Sequence, residues 1–462
     1  MSGCRMRPIF GALALLVFPS LCLAGKELPP QSTGSSADSA LSPVTFNKDV
    51  APIIFNNCAS CHRPGEVAPF SLLDYANVRK HAKEIAELTE SHAMPPWKPE
   101  PGYGDFMGVR RLSDQQINVI QQWVKQGKQE GQAGDLPAQP QFKSGWALGE
   151  PDMVVKMPKA FTLRADGPDD YRCFVIPLNL EKDTYVSAVD YRAGNPKIVH
   201  HALLFLDNTG KARELESQST DNLPGYFAAG GPRFQPSGGL GGWAPGVTAH
   251  FLPDGVGRQV KTNSDLIIQI HFHPSGKVEQ EQSSVAIYLT KKTPEKLFVS
   301  LPSGERKIDI AANDSHYVID KSFNLPIGVE LQGVFPHAHL LCREIKVTAT
   351  LPDGATMPLI WIKDWDWNWQ GEYLYTKPIM LPPGTKIRQE FTYDNSSTNI
   401  HNPNSPPKEV KYGEQTGDEM SLVFYQLVLK PSPMLDRMRE MFGPRRQQQQ
   451  PPKQKSSAQQ DQ

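Results

Sequence analysis

The sequence predicts a multidomain chain in which a small all-α unit is followed by two all-β, jelly-roll-like sandwiches. Three observations carry this expectation. The 462 residues include 42 prolines and 36 glycines, which break the chain too often for long helices and suit short strands joined by turns. One segment departs from that pattern: Ser113, with Gln116 three positions on, opens a run that sets Ile117, Ile120 and Trp123 on one face and stops near Gly127. This is a capping box starting an amphipathic helix. Beyond residue 149, β-rich runs at 183–191, 266–272, 284–289 and 344–351 are separated by Pro-Gly, Asp-Gly and Ser-Gly turns, and about 280 residues of this kind are better accommodated by two sandwiches than by one.

In chain order, residues 1–24 carry Arg5 and Arg7, an apolar run from Ile9 to Phe18, and Cys22-Leu23-Ala24 at the expected cleavage site. They read as a signal peptide, with an apolar run too short to span a bilayer. The expected location is the periplasm, and an integral membrane protein is not expected. Residues 25–44, rich in Ser, Gly and Pro, read as a flexible leader, 45–131 as the helical unit, and 132–148 as a linker. The sandwiches are expected at 149–295 and 296–432, divided near Lys291-Lys292-Thr293-Pro294 and Pro302-Ser303-Gly304. Residues 433–462 read as a short helix, with Met434, Met438 and Met441 at helical spacing, and a disordered glutamine-rich tail. Lys plus Arg total 48 and Asp plus Glu 49, a formal net charge of -1, so no global field attracts nucleic acid.

Cys58-Ala59-Ser60-Cys61-His62 is the C-x-x-C-H signature of one covalent c-type haem. Two thiols reach two vinyl groups on one porphyrin edge while the adjacent imidazole reaches the iron, so His62 is the expected proximal ligand. Met94, 32 residues later in His92-Ala93-Met94-Pro95-Pro96-Trp97, is the expected sixth ligand, with His81, His92 and Met107 as competitors. Met/His ligation leaves no open position and suits electron transfer. Residues 45–131 resemble class I cytochromes c.

Nine of the twelve histidines lie after residue 149, six of them in close pairs, and paired histidines in exported β-rich sequence point to metal. His337 and His339 are i, i+2, as are His271 and His273, so each pair shares one strand face. The neighbours His200 and His201 point to opposite faces unless a bulge or strand end intervenes. Imidazole suits zinc, copper, nickel and iron, and a thioether partner favours copper(I).

Val199-His200-His201-Ala202, Gln269-Ile270-His271-Phe272-His273, Pro336-His337-Ala338-His339-Leu340 and Asp418-Glu419-Met420 stand in the order and approximate spacing of the copper type II ascorbate-dependent monooxygenases, the core of peptidylglycine α-hydroxylating and dopamine β-monooxygenases. Residues 149–430 resemble that family. The resemblance implies two coppers, one held by His200, His201 and His271, the other by His337, His339 and Met420. It implies that O2 is activated at the second, with electrons from an ascorbate-like reductant or a periplasmic donor. The implied activity is hydroxylation of a small-molecule C–H bond with incorporation of one oxygen atom. A periplasmic electron-transfer or copper-binding protein without oxygenase chemistry is the alternative.

The chain departs from the peptide-hydroxylating members around Phe335-Pro336-His337 and Met420-Ser421-Leu422-Val423-Phe424, where no charge remains to hold a substrate carboxylate. Burying an unpaired carboxylate costs several kcal/mol, so the expected substrate is apolar. Trp361, Trp365, Trp367 and Trp369 read as a core stripe or, alternatively, as a substrate wall or electron path. His273 is expected outside the ligand set, Gln269 and Tyr425 are polar candidates near the coppers, and pairing of Cys173 with Cys342 stays open.

Overall fold

A computed structural model describes residues 43–142, 145–229, 231–413 and 415–433. The signal peptide, most of the leader, and the methionine-bearing helix and tail from residue 434 lie outside the described residues.

The helical unit contains a short π-helical turn, Phe46–Val50, and the helices Ala51–Asn57, Tyr75–Lys80, Ala82–Glu90 and Asp114–Lys125. The last is closed by the capping box: the Gln116 amide donates to Ser113 Oγ at 3.2 Å, and the Ser113 amide donates to Gln116 Oε1 at 2.9 Å. Its buried face, Ile117, Ile120 and Trp123, packs against Phe46, Ile54 and Val78 in a core of its own.

Apart from a short helix, Lys211–Ser217, the regular structure of the rest is β, layered as sandwiches. In the first sandwich a five-stranded sheet holds, in spatial order, Tyr226–Phe227, Asp170–Pro177, Asp265–Phe272, Val199–Asp207 and Gly238–Trp243. In the second, a four-stranded sheet orders Tyr317–Asn324, Lys386–Tyr393, Cys342–Thr350 and Thr356–Ile362. Each covers half of one eight-stranded sheet, in which Met153–Lys156, Ser284–Leu289, Thr184–Arg192 and Val256–Val260 are followed by Lys296–Glu305, Ser421–Leu429, Val329–Ala338 and Tyr373–Leu381.

The expected division at residue 295 therefore separates two cores but not two sheets. Val256 and Gly257 pair in parallel with Lys296 and Leu297 across it, while Phe174, Leu204, Ile268 and Phe272 lie in one core and Val334, Ile345, Ile360 and Phe391 in the other. Satisfying two strand edges against each other removes exposed backbone donors and acceptors that each sandwich would otherwise present.

The segment expected as a flexible linker is largely exposed and is attached at a few points. Gln139 Nε2 donates to the Leu73 carbonyl at 3.0 Å, the Ala147 amide donates to Asp190 Oδ2 at 2.8 Å, and Trp146 and Leu148 pack beside Tyr288. Among the described residues no helix is long and apolar enough to cross a membrane.

Candidate metal centres

The neighbours His200 and His201 meet one face because the strand is irregular there. Val199 pairs with Phe272 and His201 with His271, so the register shifts at His200, the bulge that adjacent ligands require. Ring centroids lie 4.7 Å apart for His200 and His271, 5.0 Å for His201 and His271, and 5.2 Å for His200 and His201. One nitrogen from each ring falls within 4.8 Å of the others. Nδ1 of His200 and of His201 stand 3.0 Å apart.

Asp169 organises this group, and the sequence reading did not single it out. Its Oδ2 lies 2.6 Å from His271 Nε2 and its Oδ1 2.8 Å from His273 Nδ1. Burial opposes the charge on Asp169, but its hydrogen bonds to the two imidazoles hold its pKa below the ordinary carboxylate value. His273 thus touches the centre through a carboxylate and is otherwise exposed. With His271 Nε2 engaged, its Nδ1 is buried and has no hydrogen-bond partner. Tyr171 stacks on the same ring at 4.2 Å, which fixes its plane. Burial, reinforced by His271, lowers His200 to about 4, and burial pushes His201 well below its ordinary value. Both are neutral, the form that ligates metal.

The second group forms where two neighbouring strands of the shared sheet end. His337 pairs with Leu422 and Ala338 with Ser421. The ladder ends there; His339 and Met420 are the next residue on each strand, and Glu419 Oε2 accepts from the amides of both. The His337 and His339 rings are 5.2 Å apart. His337 Nδ1 lies 2.6 Å from Gln370 Oε1, and His339 Nδ1 lies 3.0 Å from the Asp418 carbonyl, contacts that orient both rings. Burial lowers His337 and takes His339 to about 3. Glu419 holds the segment together: its carboxylate accepts from the amides of Leu341 at 2.6 Å, His339 at 3.0 Å and Met420 at 3.2 Å. Burial raises this carboxyl to about 8 against the pull of those amides.

Trp367 joins the two groups. Its ring centroid is 5.0 Å from His339, 6.2 Å from His337 and 6.4 Å from His271. The core reading of the tryptophan stripe holds for Trp365, which is buried and donates to the His339 carbonyl at 3.2 Å, but not for Trp367. Trp365, Trp367 and Trp369 do not share a strand face, because Thr356–Ile362 ends before Trp365 and all three lie on a loop.

One further expectation, for Tyr425, is corrected. Tyr425 pairs with Val334, on the opposite sheet face from His337, and donates to Gln389 Oε1 inside the second core. Gln269 shares a strand face with His271 but donates to the Ala228 carbonyl at 2.6 Å. Cys173 and Cys342 are buried free thiols in separate cores.

In the helical unit, Cys58 and Cys61 are free thiols at the end of the helix Ala51–Asn57, and burial pushes Cys58 up to about 12. His62 Nδ1 lies 3.2 Å from the Phe70 carbonyl, which orients the ring and leaves Nε2 to ligate. The Phe70 ring stacks on His81 at 3.7 Å and lies 4.9 Å from the His62 ring, bringing His81 to the His62 side. Met94 is half-buried at the start of the loop after the helix Ala82–Glu90, whereas His92 and Met107 are exposed.

No family model matches this chain, and no curated protein matches it. Among solved structures, it is similar to PNGF-II with 9% identity over 59% of this chain and 65% of that one, at a TM-score of 0.25. It is also similar to the major capsid protein P2 from Bacteriophage PM2, with 8% identity over 61% of this chain and 99% of that one, at a TM-score of 0.24. Scores this low carry no argument about function.

Proposed function

We propose that this chain is a periplasmic copper-dependent monooxygenase. It hydroxylates a C–H bond of a small apolar substrate with O2 and receives electrons through a covalent c-type haem. The observation that carries the reading is the meeting, across the single indole of Trp367, of a three-histidine group and the pair His337 and His339, to whose strand end Glu419 ties the Met420 backbone.

Copper fits both donor sets. The unpartnered, buried Nδ1 of His271 and the adjacent Nδ1 atoms of His200 and His201 form an imidazole set of a kind that serves both copper oxidation states. Two imidazoles with a soft thioether favour copper(I), and bound copper there would supply O2 chemistry. The chain's own part is orientation. Asp169 fixes His271, Gln370 and the Asp418 carbonyl fix the tautomers of His337 and His339, and Glu419 holds Met420 beside His339. Haem fits the free Cys58 and Cys61 thiols and the oriented His62, with Met94 as the proposed sixth ligand and His81 as its competitor.

The test is metal quantitation followed by O2 addition to the reduced holoprotein with a panel of apolar and aromatic compounds. The expected result is about two coppers per haem, O2 uptake coupled to haem oxidation, and a hydroxylated product that Met420→Ala abolishes. Full hydroxylation by Met420→Ala with copper still bound would overturn the oxygen-site assignment.

The second reading is an electron-transfer or copper-binding protein without C–H chemistry. Its supporting observation is the indole of Trp367 set edge-on against His339 at 5.0 Å, where a substrate would approach. Copper and haem with no product from any compound would favour it.

A further inference from the structure

The helical unit is fastened to both sandwiches, and the two attachments differ in what they touch. Residues 97–107 join the second sandwich. The Glu100 amide donates to the Trp361 carbonyl at 2.7 Å, the Met107 amide to the Leu374 carbonyl at 2.8 Å, and the Thr376 amide to the Asp105 carbonyl at 2.8 Å, while Trp97 packs edge-on against Tyr373. None of these residues belongs to the C-x-x-C-H turn.

The other attachment touches that turn. Arg110 Nη1 donates to the Gly246 carbonyl at 2.9 Å, and its Nη2 donates to the Pro96 carbonyl at 3.2 Å, two residues after Met94. One guanidinium therefore ties the Met94 loop to the first sandwich. Gly246 has φ +86°; a Cβ there would meet Arg110 Nη1 at 2.1 Å and would lie 3.7 Å from Cys61 Sγ. The position needs glycine both for its backbone conformation and for this close approach. Three residues earlier, Trp243 pairs with Ala202, the residue after His201.

We infer that Arg110 and Gly246 form an electron port: they press the Cys61 edge of the haem turn against the 243–246 segment, so that electrons enter the three-histidine centre and not the two-histidine one. The inference rests on the haem and copper reading above. The step balances as one electron lost by ferrous haem and one gained by copper(II), with no atom or proton transferred. The specific claim is the place of entry, Gly246 through Trp243 to His201, with Arg110 as a positioning residue.

The experiment uses the full-length, haem-bearing, copper-loaded protein, reduced at the haem, with haem absorbance followed in a stopped-flow instrument. In the unaltered protein, haem oxidation should be fast with copper and slow after copper removal. Arg110→Met keeps the bulk and loses both hydrogen bonds, and Gly246→Val wedges the junction apart. Because electron transfer weakens as donor and acceptor are moved apart, each variant should slow copper-dependent haem oxidation severalfold, with haem potential and copper content unchanged. Should Gly246→Val fail to fold, Arg110→Met alone decides. Unchanged rates in a folded Arg110→Met protein overturn the port and leave the oxygenase reading intact. Absence of haem or of copper-dependent haem oxidation in the unaltered protein overturns both.

Discussion

Glu419→Gln separates the proposed second copper group from the rest of the molecule. In the native chain Oε2 of Glu419 accepts from the amides of His339 and Met420, and Oε1 accepts from that of Leu341. The amide side chain of Gln keeps one accepting oxygen and turns a donor toward the other amides, so one or two buried N–H groups lose their partner. At about 1–3 kcal/mol for each unsatisfied buried donor, the loss should be about 2–4 kcal/mol of stability. The same amides set the positions of His339 and Met420, and loss of an outer partner of this kind typically costs 10–100-fold in metal affinity. The expected result is a lower denaturation midpoint with an unchanged slope, and copper content falling from about two per chain toward one. Equilibrium denaturation in guanidinium and metal analysis after dialysis against a weak chelator read the two effects separately. A Glu419→Gln protein with native stability and both coppers would refute the reasoning, because the carboxylate would then be organising nothing.

Asp169→Asn should weaken copper at the three-histidine group by about 10–100-fold, through lost orientation of His271, as read by competition with a chelator. The metal-free protein should lose stability on acidification. His200 and His339 are buried neutral, with values lowered to about 4 and about 3 from an ordinary 6.5. Between those limits the unfolded chain binds more protons than the folded one, so stability falls as pH drops from about 6.5 toward 4, by about 3 kcal/mol for His200 alone. Denaturation midpoints that stay flat across that range would contradict the burial. Cys58→Ala combined with Cys61→Ala should leave any haem extractable by acid acetone, whereas the unaltered protein should retain it covalently.

Much of the local structure was legible from neighbouring residues, because the forces that decide it act within a few positions. The capping box at Ser113 and Gln116 formed as the spacing required, and the strands Asp265–Phe272 and Ser284–Leu289 began and ended within a residue of the runs that announced them. The adjacency of His200 and His201 posed a condition, a bulge, and the register shift beside Val199 met it. The tryptophan spacing misled, because a period of two describes a strand only where a partner strand continues, and none pairs with residues 363–370.

By itself, then, the amino-acid order determined the donors: C-x-x-C-H, the paired imidazoles and the thioether, each a matter of side-chain chemistry at short spacing. The tertiary structure alone decided which of them meet. His201 and His271 become partners through a strand ladder between residues 70 apart, Asp169 reaches two imidazoles from another strand's end, and Trp367 arrives on a loop from the second sandwich. Cys61 comes against Gly246 only because the helical unit is fastened in place. These encounters follow from sheet register and buried packing, which sum over the whole chain and leave no mark in any short stretch of it.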